Sequence, residues 1–170
     1  MNIISDDNNF QQKYYNGVNI VNLRQYDRGR CNYEYDTYLT RIKKQFKVIP
    51  DSVNYIHHSD LLYDAFSADL SQSMEAALLY CVARIKVMLY VGQNDGLVCS
   101  AGLQTFLNTW GWPLKENWKR AKKEFLYIGD SIYGWRKRYS RLTFALVNDA
   151  GHLAPVDNPV AIYSLLSDWL

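Results

Sequence analysis

Two short apolar runs, each stopped by a polar turn and each followed by a helical pattern, constrain this chain more than any other feature. Ile85-Lys86-Val87-Met88-Leu89-Tyr90-Val91 ends at Gly92, and Leu142-Thr143-Phe144-Ala145-Leu146-Val147 ends at Asn148. Their β-branched and aromatic residues suit buried strands. Helical patterns follow from Ala101 to Trp110 and from Asn158-Pro159, where Ile162, Leu165, Leu166 and Trp169 would face inward. Strand, turn and helix in repetition is the pattern of a parallel α/β sheet. Two strands do not make a stable sheet of that kind, so the expected fold is α/β and incomplete on its own.

The first half reads differently. Residues 1–17 are rich in Asn, Asp and Gln and read as a loop, while Val18 to Leu23 alternates apolar with polar as a short strand does. From Asp36, Leu39, Ile42 and Phe46 recur at helical intervals that stop before Pro50. Ser59 is placed to cap a second helix with Leu62, Phe66 and Leu70 on one face. Ser73 would start a third, through Met74, Ala77, Leu78 and Cys81. His57 and His58 precede the Ser59 cap and read as surface or cap-packing residues. On pattern, the chain divides into a helical and connecting segment, 1–84, and a strand-containing segment, 85–170. The second carries an insert over about 110–141 that holds Trp110, Trp112 and Trp118.

Composition removes several classes of function. Lys and Arg number 19 against 17 acidic residues, a net charge of +2, which offers nucleic acid little attraction. Lys119, Arg120, Lys122 and Lys123 are flanked by Glu116 and Glu124 and interrupted by Trp118 and Phe125. They read as a solvated helix face, and Arg136, Lys137, Arg138 and Arg141 read the same way. No apolar run approaches the ~20 residues of a membrane span. The start, Met1 to Asp7, has neither the basic opening nor the apolar centre of a signal peptide. Fourteen Tyr and five Trp point to broad aromatic packing ahead of a ring-lined groove. Three cysteines cannot all pair internally: Cys31, in a polar stretch, is open to a partner outside the chain, and Cys81 reads as core. There is no Cys-x-x-Cys and the histidines lack ligand spacing, so no metal and no other cofactor is expected.

Chemistry is concentrated at the ends of the two strands. In parallel sheets, reactive groups gather in the turns beyond the carboxyl ends of strands. Gly92-Gln93-Asn94-Asp95-Gly96 puts Asp95 after the first strand, and Asn148-Asp149-Ala150-Gly151-His152 puts His152 after the second. In a Ser-His-Asp mechanism the carboxylate accepts an imidazole N–H, and the imidazole takes the proton of the attacking hydroxyl. The chain order in α/β-hydrolases is Ser, Asp, His, so Asp95 before His152 fits. Taken alone, the same residues also fit an ordinary turn Asp and a common Gly-His dipeptide.

The surrounding residues add to this. Ile85 to Asp95 resembles the serine carboxypeptidase segment I-K-V-L-x-Y-x-G-Q-x-D, and Cys99 matches a position often held by Cys in that motif. Trp112-Pro113-Leu114-Lys115-Glu116-Asn117-Trp118 and Arg136 to Tyr139 match the family's insert. Leu142-Thr143-Phe144 with Asn148 to Pro155 resembles its L-T-F…N-A-G-H-x-x-P stretch, and Asp157 with Pro159 continues its D-x-P. Upstream, Tyr38-Leu39, Lys43 to Phe46 and Asp60 to Met74 resemble its helical cap. The chain thus resembles the C-terminal part of a serine carboxypeptidase, an α/β-hydrolase, and is similar to the vitellogenic and retinoid-inducible-like members. Asp95 and His152 stand 57 positions apart, an interval that these enzymes fill with the Trp-rich insert.

The resemblance implies removal of single residues from peptide C-termini, in the secretory pathway, a lysosome or vacuole, or outside the cell. Asp95 would orient His152, which would act as general base and then general acid. Cys99 would line the substrate pocket with Leu153, which stands where Met commonly follows the His. As plain packing, Cys99 would instead be a small buried residue. The family's Gly-x-Ser-x-Gly elbow is absent: no Ser here has glycines two positions away on both sides. The nucleophile and oxyanion donors would therefore come from an N-terminal portion or a separate chain. Asp149 stands where the family usually has Asn, adding a carboxylate near His152. Two other readings remain open on sequence: an inactive carboxypeptidase-like remnant serving as an interaction module, and acyl transfer by a carboxypeptidase-like relative.

Overall fold

The computed structural model describes residues 21–24, 42–43, 45–46, 49–50, 52–53 and 59–170. The chain forms two compact units, one of Arg28–Ser73 and one of Met1–Asp27 with Met74–Leu170. In the smaller unit, helix α1 spans Asp60–Leu70. Ser59 caps it as expected, its hydroxyl accepting the Leu62 N–H at 3.3 Å, and Asp60 sits in the first turn where the helix dipole favours a carboxylate. Leu62, Phe66 and Leu70, expected on one face, are exposed. Ile42, Lys43 and Gln45 are helical and the Phe46 N–H reaches the Ile42 carbonyl, in agreement with a helix before Pro50. The rest of that helix, Cys31, His57 and His58 lie outside the described residues.

The larger unit carries helix α2 (Glu75–Val82), strand β1 (Val87–Gly92), helices α3 (Ser100–Thr109) and α4 (Lys115–Arg120), strands β2 (Lys123–Ile128), β3 (Ser131–Tyr139) and β4 (Leu142–Val147), and helices α5 (Ala154–Asp157) and α6 (Pro159–Trp169). Met74 rather than Ser73 occupies the cap position of α2, with no side-chain capping bond, and Cys81 is half-buried rather than deep in the core.

The four strands form one sheet in the order β1-β4-β3-β2. The two runs read as strands are β1 and β4, and they pair in parallel from Val87↔Leu142 to Gly92↔Val147. Every residue of β4 is buried, which is why it reads as an unbroken apolar run. The insert supplies what the sequence reading missed, an antiparallel hairpin. Gly129, at φ 58°, and Asp130 link β2 to β3, and Ser140, at φ 53°, and Arg141 link β3 to β4. A two-residue loop with positive φ at its first position matches the right-handed twist of the flanking strands. Arg136, Lys137 and Arg138 therefore lie on β3, not on a helix, and Lys123 opens β2; only Lys119 and Arg120 keep the helix expected of their group. Charged side chains alternate across a strand as easily as they line a helix, and the Gly129-Asp130 turn was the signal that distinguished the two.

Alternation sends side chains to two faces, each with its own core. On one, Leu142, Phe144 and Leu146 pack with Val91, Leu107, Trp110, Trp112 and Trp118 under α3 and α4. The rings of Phe106, Trp110, Trp112 and Trp118 follow one another at 5.4, 5.2 and 6.0 Å, which is the aromatic packing that the Trp content implied. On the other, Ala145, Val147, Ala150 and Ala154 pack with Ala161, Ile162 and Leu165 of α6. Asn158 caps α6 through the Ala161 N–H at 3.2 Å, as expected. Leu166, expected inward, is 37% exposed, because the buried face of α6 runs through Ile162 and Leu165 and leaves Leu166 on its shoulder.

Candidate active site

The parallel pairing of β1 and β4 brings two turns to the same end of the sheet. Gln93 donates to the Val147 carbonyl and Asn94 to the Ala150 carbonyl, both at 2.8 Å. This lacing needs a glycine at position 92. A β-carbon there would stand 2.2 Å from the Gly151 oxygen and 2.3 Å from the Ala150 oxygen, well inside contact distance. Residues 93–95 and 148–152 are thus one joined structure rather than two independent loops.

Asp95 and His152 meet across it. Asp95 Oδ2 lies 3.0 Å from His152 Nδ1. The Asp95 side chain is only 4% exposed, whereas that of His152 is 41% exposed. The other carboxylate oxygen, Oδ1, accepts the N–H groups of Leu97 and Val98, both at 2.9 Å. A carboxylate in its ionised form offers only acceptors, so Nδ1 is the nitrogen placed to donate to Asp95, which leaves Nε2 as the nitrogen able to take a proton. The pair is oriented as a general base requires.

Further contacts hold the histidine turn. The His152 N–H donates to the Val21 carbonyl at 2.6 Å, and the Leu23 N–H to the Asn94 carbonyl at 2.9 Å. Of the strand expected over Val18–Leu23, residues 18–20 lie outside the described residues, and Val21 to Leu23 form with Arg24 a turn whose backbone bonds to both the Asn94 and the His152 turns. The Asp157 carboxylate accepts the Gly151 N–H at 2.7 Å and the Asn22 side-chain amide at 2.9 Å on the same oxygen, Oδ2. Asn158 Nδ2 donates to the Asn148 carbonyl at 3.1 Å, which ties the start of α6 to the end of β4. Asn22 is 3% exposed and lies 135 residues from Asp157, so nothing in the local pattern pointed to it. Asp157 was legible only as part of a D-x-P motif.

The added carboxylate of Asp149 is turned away from this network. Asp149 takes a left-handed conformation, φ 55°, and its exposed side chain pairs with Arg24. Cys99 is exposed, not buried, and caps α3, its sulfur accepting the Gly102 N–H at 3.3 Å. Leu153, next to His152, is 47% exposed. Among the described residues no cluster of three His, Cys, Asp or Glu is arranged to hold a metal ion, and no helix is long and apolar enough to cross a membrane.

The sequence profile of the serine carboxypeptidases matches residues 4–170. The chain is 27% identical to serine carboxypeptidase-like 49 of Arabidopsis thaliana, over 91% of this chain and 31% of the plant protein. It is 30% identical to the venom serine carboxypeptidase of Apis mellifera, over 62% of this chain and 22% of the bee protein. Carboxypeptidase Y homolog A of Fusarium vanettenii is 29% identical over 62% of this chain and 20% of its own length. The chain spans less than a third of the length of these three relatives. With a family profile matched over nearly its whole length, this chain belongs to the serine carboxypeptidase family.

Proposed function

We propose that Asp95 and His152 are the carboxylate and the general base of a serine carboxypeptidase, which cleaves single residues from the C-termini of peptides. The observation that carries this reading is the 3.0 Å contact between His152 Nδ1 and a buried, doubly hydrogen-bonded Asp95, with the His152 side chain partly exposed to solvent. His152 Nε2 takes the proton of a serine hydroxyl as that oxygen attacks the scissile carbonyl. Asp95 holds the resulting imidazolium, and His152 then returns the proton to the leaving amine.

The serine and the oxyanion donors belong to polypeptide outside these 170 residues. The chain contains no Gly-x-Ser-x-Gly elbow and spans 31% of its Arabidopsis relative. Strand β1, whose following turn carries Asp95, lies at an edge of the described sheet, with Tyr90 within it 40% and Ile85 just before it 58% exposed. An exposed apolar strand edge is a place where a further strand pairs. The 170-residue chain alone is therefore inert toward peptides. Leu153 and Cys99 border the bound peptide, and the route is secretory, in keeping with the similarity to a venom protein.

The test is the intact mass of the native protein, under reducing and non-reducing conditions, after labelling with a serine-reactive phosphonate. The reading expects these residues within, or joined to, a larger labelled polypeptide, with labelling lost in His152→Ala. A native, unlabelled chain of 19.8 kDa would overturn it.

A further inference from the structure

The sheet face under α3 and α4 holds a second site of different character. Lys123 and Lys137 are directly opposite one another on β2 and β3, and Phe144 of β4 is the next cross-strand neighbour of Lys137. Like charges in that relationship repel, and β-sheets pair them at a cost. Neither ammonium has a carboxylate partner among the described residues. Lys123 Nζ reaches only the side-chain oxygen of Gln104 at 3.4 Å, and Lys137 Nζ only the Lys119 carbonyl at 3.3 Å. Each cation is set over an indole instead, Lys123 at 3.9 Å from the Trp135 ring centre and Lys137 at 5.0 Å from that of Trp118. Burial first, and then the charge of Lys123, pull the Lys137 pKa down.

These groups line one partly open cavity of about 150 Å³, together with Leu107, Asn108, Trp118, Trp135 and Phe144. None of the described residues that line it is acidic. Lys123 is exposed and Lys137 half-buried, so two adjacent cations without a carboxylate partner favour an anion at the mouth, while the aromatic and aliphatic walls suit a flat apolar body. A volume of this size accommodates a single benzene ring. We propose that this cavity binds a small aromatic carboxylate, its ring between Trp118, Trp135 and Phe144 and its carboxylate bridging Lys123 and Lys137. The site lies on the sheet face, apart from the strand-end turns that carry Asp95 and His152, and the inference does not depend on the peptidase reading.

Titration of the intact protein with benzoate, followed by calorimetry and tryptophan fluorescence, tests it. Saturable binding is expected with a Kd of about 1 mM or tighter, and benzyl alcohol and inorganic phosphate should each bind about tenfold more weakly or worse. Lys137→Met keeps the aliphatic stem and removes the charge, so it should fold with an unreduced thermal midpoint and lose benzoate affinity by about tenfold. Lys123→Met provides an independent second variant with the same expectation. Absence of saturation with benzoate, equal binding of benzyl alcohol or of phosphate, or full affinity in both folded variants would each overturn the proposal.

Discussion

Gly92 and Gly151 meet backbone to backbone, so close that a β-carbon on Gly92 would stand 2.2 Å from the Gly151 carbonyl oxygen. The atoms it would strike are main-chain atoms of the histidine turn, and no side chain can rotate aside to make room. Gly92→Ala must therefore push the β4 turn away from the β1 turn, breaking the Asn94 to Ala150 hydrogen bond on the way. The expected cost is about 3 kcal/mol or more, at the upper end for overpacking. Urea unfolding measures it, and an unchanged midpoint would show that the two turns are not in contact as described.

Asp95→Asn isolates the orientation of the imidazole from the fold. Because Leu97 and Val98 both donate to Oδ1, that position must remain an oxygen in the amide, and the NH₂ group is left facing His152. Nδ1 then becomes an acceptor, the proton moves to Nε2, and the base is lost. Within the complete enzyme, kcat should fall by about 10⁴-fold, the scale known for this change in other serine hydrolases. The tautomer can be read directly from ¹⁵N shifts of His152, whether or not the chain is active. Protonation still on Nδ1 in the variant would contradict the assignment.

The Asp157 carboxylate serves two donors with one oxygen, and its partners are not equivalent. Asp157→Ala leaves both the Gly151 N–H and the buried Asn22 amide without an acceptor, a loss of about 2–4 kcal/mol. Asn22→Ala removes the donor to Asp157 and the weaker 3.2 Å acceptor of the Arg24 N–H but leaves Gly151 satisfied, so it should cost less, about 1–2 kcal/mol. A double-mutant cycle should return a coupling of about 1 kcal/mol or more, since the two side chains share a bond. Additive effects would mean that Asn22 and Asp157 act separately.

Legibility in the sequence followed the range over which each feature is encoded. β1, β4, α3 and α6 were readable because their apolar periodicity and caps are local, and Asp95 and His152 because each follows such a strand. The β2–β3 hairpin was hidden because Arg136, Lys137 and Arg138 mix charge with Trp135 and Tyr139 in a way that suits either a strand or a helix. Val21 to Leu23, the described end of the expected strand, differs for another reason: its backbone groups are taken by Asn94 and His152, contacts that no local pattern records. The support of the site by Asn22 is of the same kind. It rests on chain segments that only the fold brings together.

The Asp149 side chain is exposed and pairs with Arg24, not with His152. An exposed pair of this kind contributes little, and Asn tolerates the left-handed φ of 55° at least as well as Asp. Asp149→Asn should therefore change stability by no more than about 0.5 kcal/mol. Asp149→Val, with a β-branched side chain at the same φ, should cost about 1–2 kcal/mol. Comparison of the two thermal midpoints decides whether backbone conformation or charge matters at this position.

Glu124 supplies a predicted acid sensitivity at the far edge of the sheet. Its Oε2 accepts from Arg136 Nε at 3.0 Å and from Arg138 Nη2 at 3.4 Å, while Arg136 also pairs with Asp168 of α6. The Arg136 hydrogen bond, helped by the charges of Arg138 and Arg136 and opposed by burial, holds the Glu124 carboxyl below the usual glutamate range. A lowered folded pKa means that the unfolded chain takes up the proton first as pH falls. The contribution is then complete above the ordinary glutamate pKa of about 4.3 and disappears as pH drops through the lower folded value. Since Glu124 is half exposed, solvent screens the pair and the contribution stays under about 1 kcal/mol. Glu124→Gln should accordingly be slightly less stable than the parent at neutral pH, and the difference should narrow as pH falls below the ordinary glutamate pKa of about 4.3. Urea unfolding across that range measures it, and a gap that persists or widens in acid would mean that the Arg136 contact does not lower the Glu124 pKa.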